Sequence, residues 1–213
     1  MDFFDIIGGD LLKIVDDYRT RGYLEASITS TFIALIPKTN NPVSYEEYRP
    51  IYLCNCIYKI ITKIIANRMR PILSNHISLE QFTFLHDRQI HEVMGTTQEV
   101  LHSLHTRRAK GMILKVDLSK AFDRVNWLYI RMLLTHLGFP FIDIKWIMSC
   151  ISNIPFNILV NSSTSPFFFS ERGLQQGCPL SPLLFLLVME GLSRLINDEH
   201  RRGRLQGIKI SEG

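Results

Sequence analysis

Residues Met112 to Trp127, MILKVDLSKAFDRVNW, constrain this chain more than any other stretch. The run begins apolar and β-branched, which predicts a strand over Met112 to Leu118. It puts Asp117 at the strand's exit, then an aromatic, Phe122, then at once a second acid, Asp123. A carboxylate at the end of a buried strand is costly unless a cation neutralises it. A divalent metal is one such partner, and Mg2+ takes hard oxygen ligands while keeping substrate phosphates in its shell. The other reading is that Asp117 caps the helix that follows, a common task for Asp after a strand.

The rest of the composition bounds the answer. The chain has 213 residues, which suits one domain or two closely joined subdomains, and 46% of them are hydrophobic, enough for a sizeable core. A net charge of +4 is mildly basic and points only weakly to an anionic partner. The basic residues cluster, at Arg107, Arg108 and Lys110 and again at Arg201, Arg202 and Arg204. Such runs are either solvated faces or, beside a polymer of phosphates, salt-sensitive backbone contacts. Cys54, Cys56, Cys150 and Cys178 lack a second pair to complete a zinc site, so they read as free thiols of a reducing compartment. His102 and His105 could share a helix face but find no further ligand pair. Asp2 and Asp5 stand where a secretory leader would be basic, and Leu183 to Met189 is far shorter than the roughly 20 residues of a membrane span.

Periodicity predicts the elements. Phe3, Ile7, Leu11, Ile14 and Val15 form one helical stripe that stops near Arg21-Gly22. Thr29 to Ile36 reads as a strand closed by Pro37, and Lys38 to Val43 as a loop. Ile57, Ile60, Ile61, Ile64, Ile65 and Met69 mark a long packing helix, and Glu92 to Arg108 another. After the Met112 strand, Lys120 to Leu137 is predicted helical with Gly138 as its stop. A short helix follows at Ile144 to Ile151. A hairpin of strands Phe156 to Asn161 and Ser165 to Arg172 turns at Ser162-Ser163. A helix from Leu180 to Ile196 starts at Pro179, and Gly207 to Ile210 could begin a strand. Segregated helices and hairpins argue an α+β fold.

A second segment, Arg172 to Met189, reads RGLQQGCPLSPLLFLLVM. Upstream lie FIALIPK at Phe32 to Lys38, YRPIYLCNCIYKIITKIIANRM at Tyr48 to Met69, and QFTFLHDRQI at Gln81 to Ile90. Taken in this order with the Asp117 segment, the set resembles the polymerase core of reverse transcriptases, most closely the LINE-type (non-LTR) retrotransposons of plants, whose lead-in the opening IIGGDLLKIV also resembles. The resemblance spans nearly the whole chain. It implies part of a right-hand polymerase fold. Residues 1–28 would be a helical lead-in, 29–110 fingers, 111–140 palm, 141–176 a return through the fingers, and 177–213 a palm helix.

The resemblance also implies roles. Asp117 and the carbonyl of Leu118 match metal contacts of a two-ion nucleotidyl-transfer site, with Mg2+ expected and Mn2+ as the alternative. Phe122 matches the aromatic that excludes a ribose 2′-hydroxyl; on its own it would read as a core ring at a helix start. Asp123 matches a second, structural acid. Lys38 and Arg49 match triphosphate contacts, for which a point charge and a planar guanidinium suit spreading phosphoryl charge. Gln176 and Gly177 match the QG turn, where glycine lets backbone approach the nascent base pair. Pro179, Ser181 and Pro182 shape the helix entry. RNA template, DNA primer and dNTP are the implied partners, with no membrane and no protein partner to infer, and an intracellular setting in cytoplasm and nucleus.

Departures qualify the match. Gln175 stands where plant relatives usually carry a basic residue, which would weaken a backbone contact. Cys178 replaces a frequent Asp, and Asp87 falls where glycine is usual, straining a turn that needs positive φ. In the family an aromatic-Ala-Asp-Asp hairpin follows closely after the region ending GIKI, and its aspartates complete the metal site. Neither that hairpin nor a thumb, an upstream endonuclease or an RNase H region is expected within these residues. Asp198, beside Glu199 in a helix, is no substitute. The alternatives are therefore a non-catalytic nucleic-acid-binding module or a decayed retroelement remnant, and, within polymerases, an intron-encoded maturase, against which the opening segment argues.

Overall fold

The computed structural model describes residues 3–81, 83–85, 90–108, 111–161 and 163–207. Helix α1 (Phe3–Arg21) turns Ile14, Val15 and Tyr18 toward the core and ends where Gly22 takes φ +74°. One helical turn, α2 (Ala26–Thr29), leads into strand β1 (Thr31–Pro37). Strand β2 (Tyr48–Leu53) returns antiparallel, with Ile33 opposite Tyr52 and Ile36 opposite Arg49. Asn55 then caps α3 (Cys56–Ser74), its side chain accepting from the Ile57 N–H, and the helix buries Tyr58, Ile61, Ala66, Met69 and Leu73. Helix α4 (Ile90–Thr106) lies largely exposed.

Helices α5 (Trp127–His136) and α6 (Phe141–Ser149) pack together, joined through Gly138 at φ +78°. Strand β3 (Pro155–Val160) then runs parallel to β1, with Thr31 opposite Phe156. The short β4 (Ser163–Thr164) and β5 (Phe168–Phe169) both pair antiparallel with β3. The sheet order is β2-β1-β3-β4, with β5 also on β3. Helix α7 (Ser181–Arg201) supplies the centre of the core through Leu183, Leu184, Leu186 and Leu187. This is a mixed α+β architecture with a small mixed sheet, and no described helix is long and apolar enough to cross a membrane.

Two polar arrangements fix the helices. The Tyr58 hydroxyl donates to the Cys150 carbonyl at 2.7 Å and lies 3.3 Å from Cys178 Sγ, while the Tyr18 hydroxyl donates to Trp146 O at 2.6 Å. Cys54, Cys150 and Cys178 are buried free thiols and Cys56 is exposed. Burial, the largest influence, pushes the Cys150 thiol up to about 12, so it stays protonated and unreactive. On α7, buried Glu190 accepts from the backbone N–H and hydroxyl of Ser78, at 3.0 and 2.7 Å, and pairs with Arg194 at 3.0 Å. Arg194 in turn donates to His76 O, and Gln81 donates to Ser193 Oγ, so the 76–81 loop is tied along the helix.

Several sequence expectations need correction. Residues 112–118 are extended but form no strand: Met112 is 84% exposed and Leu114 78%, and no described strand lies beside them to complete a ladder. The helix expected from Lys120 begins only at Trp127. Lys120 sits at φ +51°, a 3-10 turn covers Phe122–Arg124, and Asn126 makes a stronger cap by accepting from the Leu128 and Tyr129 N–H groups. Helix α7 starts at Ser181, with Pro182 rather than Pro179 in its first turn, and runs on to Arg201. The strand expected over Ser165 to Arg172 shrinks to β4 and β5, because Pro166 has no N–H to give a ladder. Asp87, Lys110, Ser162 and residues 208–213 lie outside the described residues.

Glu190→Ala should lower the unfolding free energy by about 2–3 kcal/mol, since it leaves Ser78 and Arg194 without their charged acceptor. Urea denaturation checks this; a loss under about 0.5 kcal/mol would make Glu190 an ordinary surface-like residue.

Candidate active site

The two segments that carry the polymerase resemblance meet through their main chains. Leu174 N–H donates to Phe122 O at 2.9 Å, and Gly173 N–H donates to Val125 O at 2.8 Å. The indole N–H of Trp127 closes the joint on Gly173 O at 2.7 Å. Gly173 is at φ +98°, and a Cβ there would stand 3.0 Å from the Asp123 carbonyl. The close approach of the two loops and the positive φ both require glycine.

Side chains lock the same joint. Phe122 is half-buried and stacks on Phe185 of α7, with ring centroids 4.7 Å apart and planes 15° apart. Gln175 is buried: its amide donates to Thr31 Oγ1 at 3.4 Å and accepts from Cys54 Sγ at 3.5 Å. This glutamine holds the turn against β1 and the end of β2, which leaves Gln176 and Gly177 exposed. Gly177 takes φ +93° with the Tyr52 carbonyl 3.9 Å from where a Cβ would lie. Pro179 is half-buried, and Ser181 is buried with its N–H on Cys178 O and its Oγ without a hydrogen-bond partner among the described residues.

Beneath the turn lies a cavity of about 230 Å3 to which Tyr52, Asp123, Arg172 and Gln175 contribute. Burial raises the Asp123 carboxyl above the ordinary aspartate range, opposed by the Lys120 ammonium. Burial first and the Asp123 charge second push the Tyr52 phenol up to about 12. Across the turn, Lys120 pairs with Glu46 at 3.3 Å, and Lys38 donates to Glu46 O at 2.7 Å. Lys38 and exposed Arg49 sit at the same end of the β1–β2 hairpin.

Asp117 and Leu118 are placed differently. Both are exposed on the unpaired 112–118 segment, and no group of three His, Cys, Asp or Glu side chains among the described residues could hold a metal. The second basic run is locally neutralised, Arg201 by Asp198 and Arg202 and Arg204 by Glu199. Sequence reasoning missed Gln175 as an anchor and Lys120–Glu46 as a tie. A glutamine in the apolar run LQQGCPL hints at the first; nothing local signals the second.

A family model described as reverse transcriptase (RNA-dependent DNA polymerase) matches residues 36–211. The chain is 28% identical over 211 residues to the transposon TX1 uncharacterized 149 kDa protein of Xenopus laevis, covering 99% of this chain and 16% of that protein. It is 27% identical over 195 residues to the retrovirus-related Pol polyprotein from type-2 retrotransposable element R2DM of Drosophila melanogaster, covering 92% and 18%. It is 29% identical over 157 residues to the probable RNA-directed DNA polymerase from transposon BS of the same fly, covering 72% and 17%. The chain belongs to the reverse transcriptase family, as a domain like those of non-LTR retroelements, and spans less than a fifth of the length of these relatives.

Gly173→Ala should cost about 1–3 kcal/mol, the scale of a strained backbone position, and calorimetry would read it. A neutral result would mean the two loops are not in contact. Asp123 gives a pH signature. Its carboxyl is raised on folding, so its stabilising share is fully present below the unfolded value of 3.8 and is lost as pH rises through the folded value. The stability advantage of Asp123→Asn over the parent should therefore grow from acid toward neutral pH. Parallel pH profiles would contradict the burial of Asp123.

Proposed function

We propose that this chain forms the nucleotide-cradling part of an RNA-directed DNA polymerase from a non-LTR retroelement, adding dNTPs to a DNA primer on an RNA template. The observation that supports it is the main-chain joint between the Asp117-to-Asp123 segment and the QG turn. Phe122, braced by Phe185, would set the floor under the incoming sugar. Gln176 and Gly177 would face the nascent pair. Lys38 and Arg49 would meet the triphosphate. Asp123, Pro179 and Ser181 would hold the frame. In this reading residues 29–110 and 141–176 are fingers, 111–140 and 177–213 palm, and 1–28 a lead-in, and the element works in cytoplasm and nucleus.

The family generally uses divalent metal, with Asp117 and the Leu118 carbonyl as the contacts proposed here. One exposed carboxylate does not by itself fit a two-ion Mg2+ or Mn2+ site, because hard cations of this kind need several oxygen ligands. No step through the ions is therefore derived. The exposure of Asp117 favours a second reading for the chain on its own, a non-catalytic module that binds nucleic acid.

Primer extension on an RNA template separates the two. A form extended through an aromatic-Ala-Asp-Asp hairpin should make DNA, Asp117→Ala should reduce synthesis to background, and Phe122→Val should admit ribonucleotides. Full synthesis by Asp117→Ala would remove Asp117 from the metal site. Unchanged sugar discrimination in Phe122→Val would leave that ring with only its packing on Phe185.

A further inference from the structure

The turn after α1 and the outward sides of α5 and α6 enclose a cleft of about 500 Å3, within the roughly 300–1,000 Å3 of small-ligand sites. It shares no residue with the cavity beneath the QG turn. Its floor is buried and mostly apolar, built from Gly22, Thr29, Ile144 and Met148. Its rim carries two cations, Arg131 and Lys145, and two outward aromatics, Tyr23 at 55% and Phe141 at 81% exposure.

The charge is unusual for this molecule. Arg19 and Arg21 of α1 pair with Asp16, Asp17 and Glu25, and the α7 arginines pair with Asp198 and Glu199. No acid lines the cleft, and among the described residues neither Arg131 nor Lys145 is in an ion pair. The acid of α6, Asp143, lines a separate groove with Ile147 and Phe139. Lys145 is also held in place: its ammonium donates to Arg21 O at 3.3 Å, and Gly22 is the residue that makes room for its stem. Two of its donors remain for a ligand.

We infer that this cleft binds a segment of single-stranded nucleic acid, phosphate on Arg131 and Lys145 and base on Phe141 or Tyr23. A bare anion would leave the aromatics unused, and an apolar peptide would leave both cations desolvated without partners. A single strand uses both, since its bases are free to stack while its backbone follows the charge. A duplex hides its base faces and cannot.

The test is fluorescence anisotropy of a labelled single-stranded RNA oligonucleotide on the 213-residue chain, between low and moderate salt. Arg131→Gln with Lys145→Gln should weaken binding about tenfold and reduce the salt slope by about 1.4, at about 0.7 for each phosphate released. Arg68→Gln with Arg70→Gln removes the same charge from α3 and should change affinity less than about twofold. Phe141→Ala should lessen the quenching of a 2-aminopurine placed in the strand. Melting curves by circular dichroism confirm that the variants are folded. Equal losses in the two double variants would overturn the proposal, as would unchanged quenching with Phe141→Ala. A mononucleotide that binds as tightly as the oligonucleotide would also overturn it.

Discussion

Gly173 and Leu174 give their two N–H groups to the carbonyls of Val125 and Phe122, and much of the candidate site hangs on that exchange. It joins a loop just before α5 to a loop just before α7, segments far apart in sequence, at a spacing that leaves no room for a Cβ at residue 173. Trp127 adds a third bond from the first turn of α5, so the joint is continuous with a helix on one side. Through Phe122 on Phe185 it is continuous with α7 on the other. Backbone groups of a buried loop must be paired somewhere, and here each loop pairs the other.

Function follows from what this joint leaves free. Gln175 is consumed by Thr31 and Cys54, so the next two residues, Gln176 and Gly177, stand outward beside the end of β2. Asp123 is drawn into the cavity beneath, where burial disfavours its charge, so it is better suited to holding structure than to holding a metal. The part that remains open is the 112–118 segment. Its apolar residues face water because no described strand offers them a ladder, and Asp117 stays exposed with them. A site that needs several carboxylates around Asp117 is therefore organised on its nucleotide side and unfinished on its metal side.

Much of this was legible in the residues. Helical spacing located α1, α3, α6 and α7, and Gly22 and Gly138 stopped helices where a positive φ was required. The β-branched run before Pro37 gave β1. What periodicity cannot carry is the partner. Met112 to Leu118 has the composition of a strand, yet a strand is a relation between two segments, and composition specifies only one. The start of α5 was missed because Asn126 outcompetes Ser119 as a cap once Lys120 adopts positive φ. Gln175 read as a weakened surface contact because its partners, Thr31 and Cys54, lie on strands that only the fold brings near.

Residue-resolved hydrogen exchange at Gly173 and Leu174 tests the joint most directly. If these two amides close the site, they should exchange as slowly as amides in the middle of α7 and open only with the global unfolding of the chain. Exchange as fast as in the exposed 112–118 segment would contradict this: the two loops would then be neighbours by chance, with no fixed cradle between them.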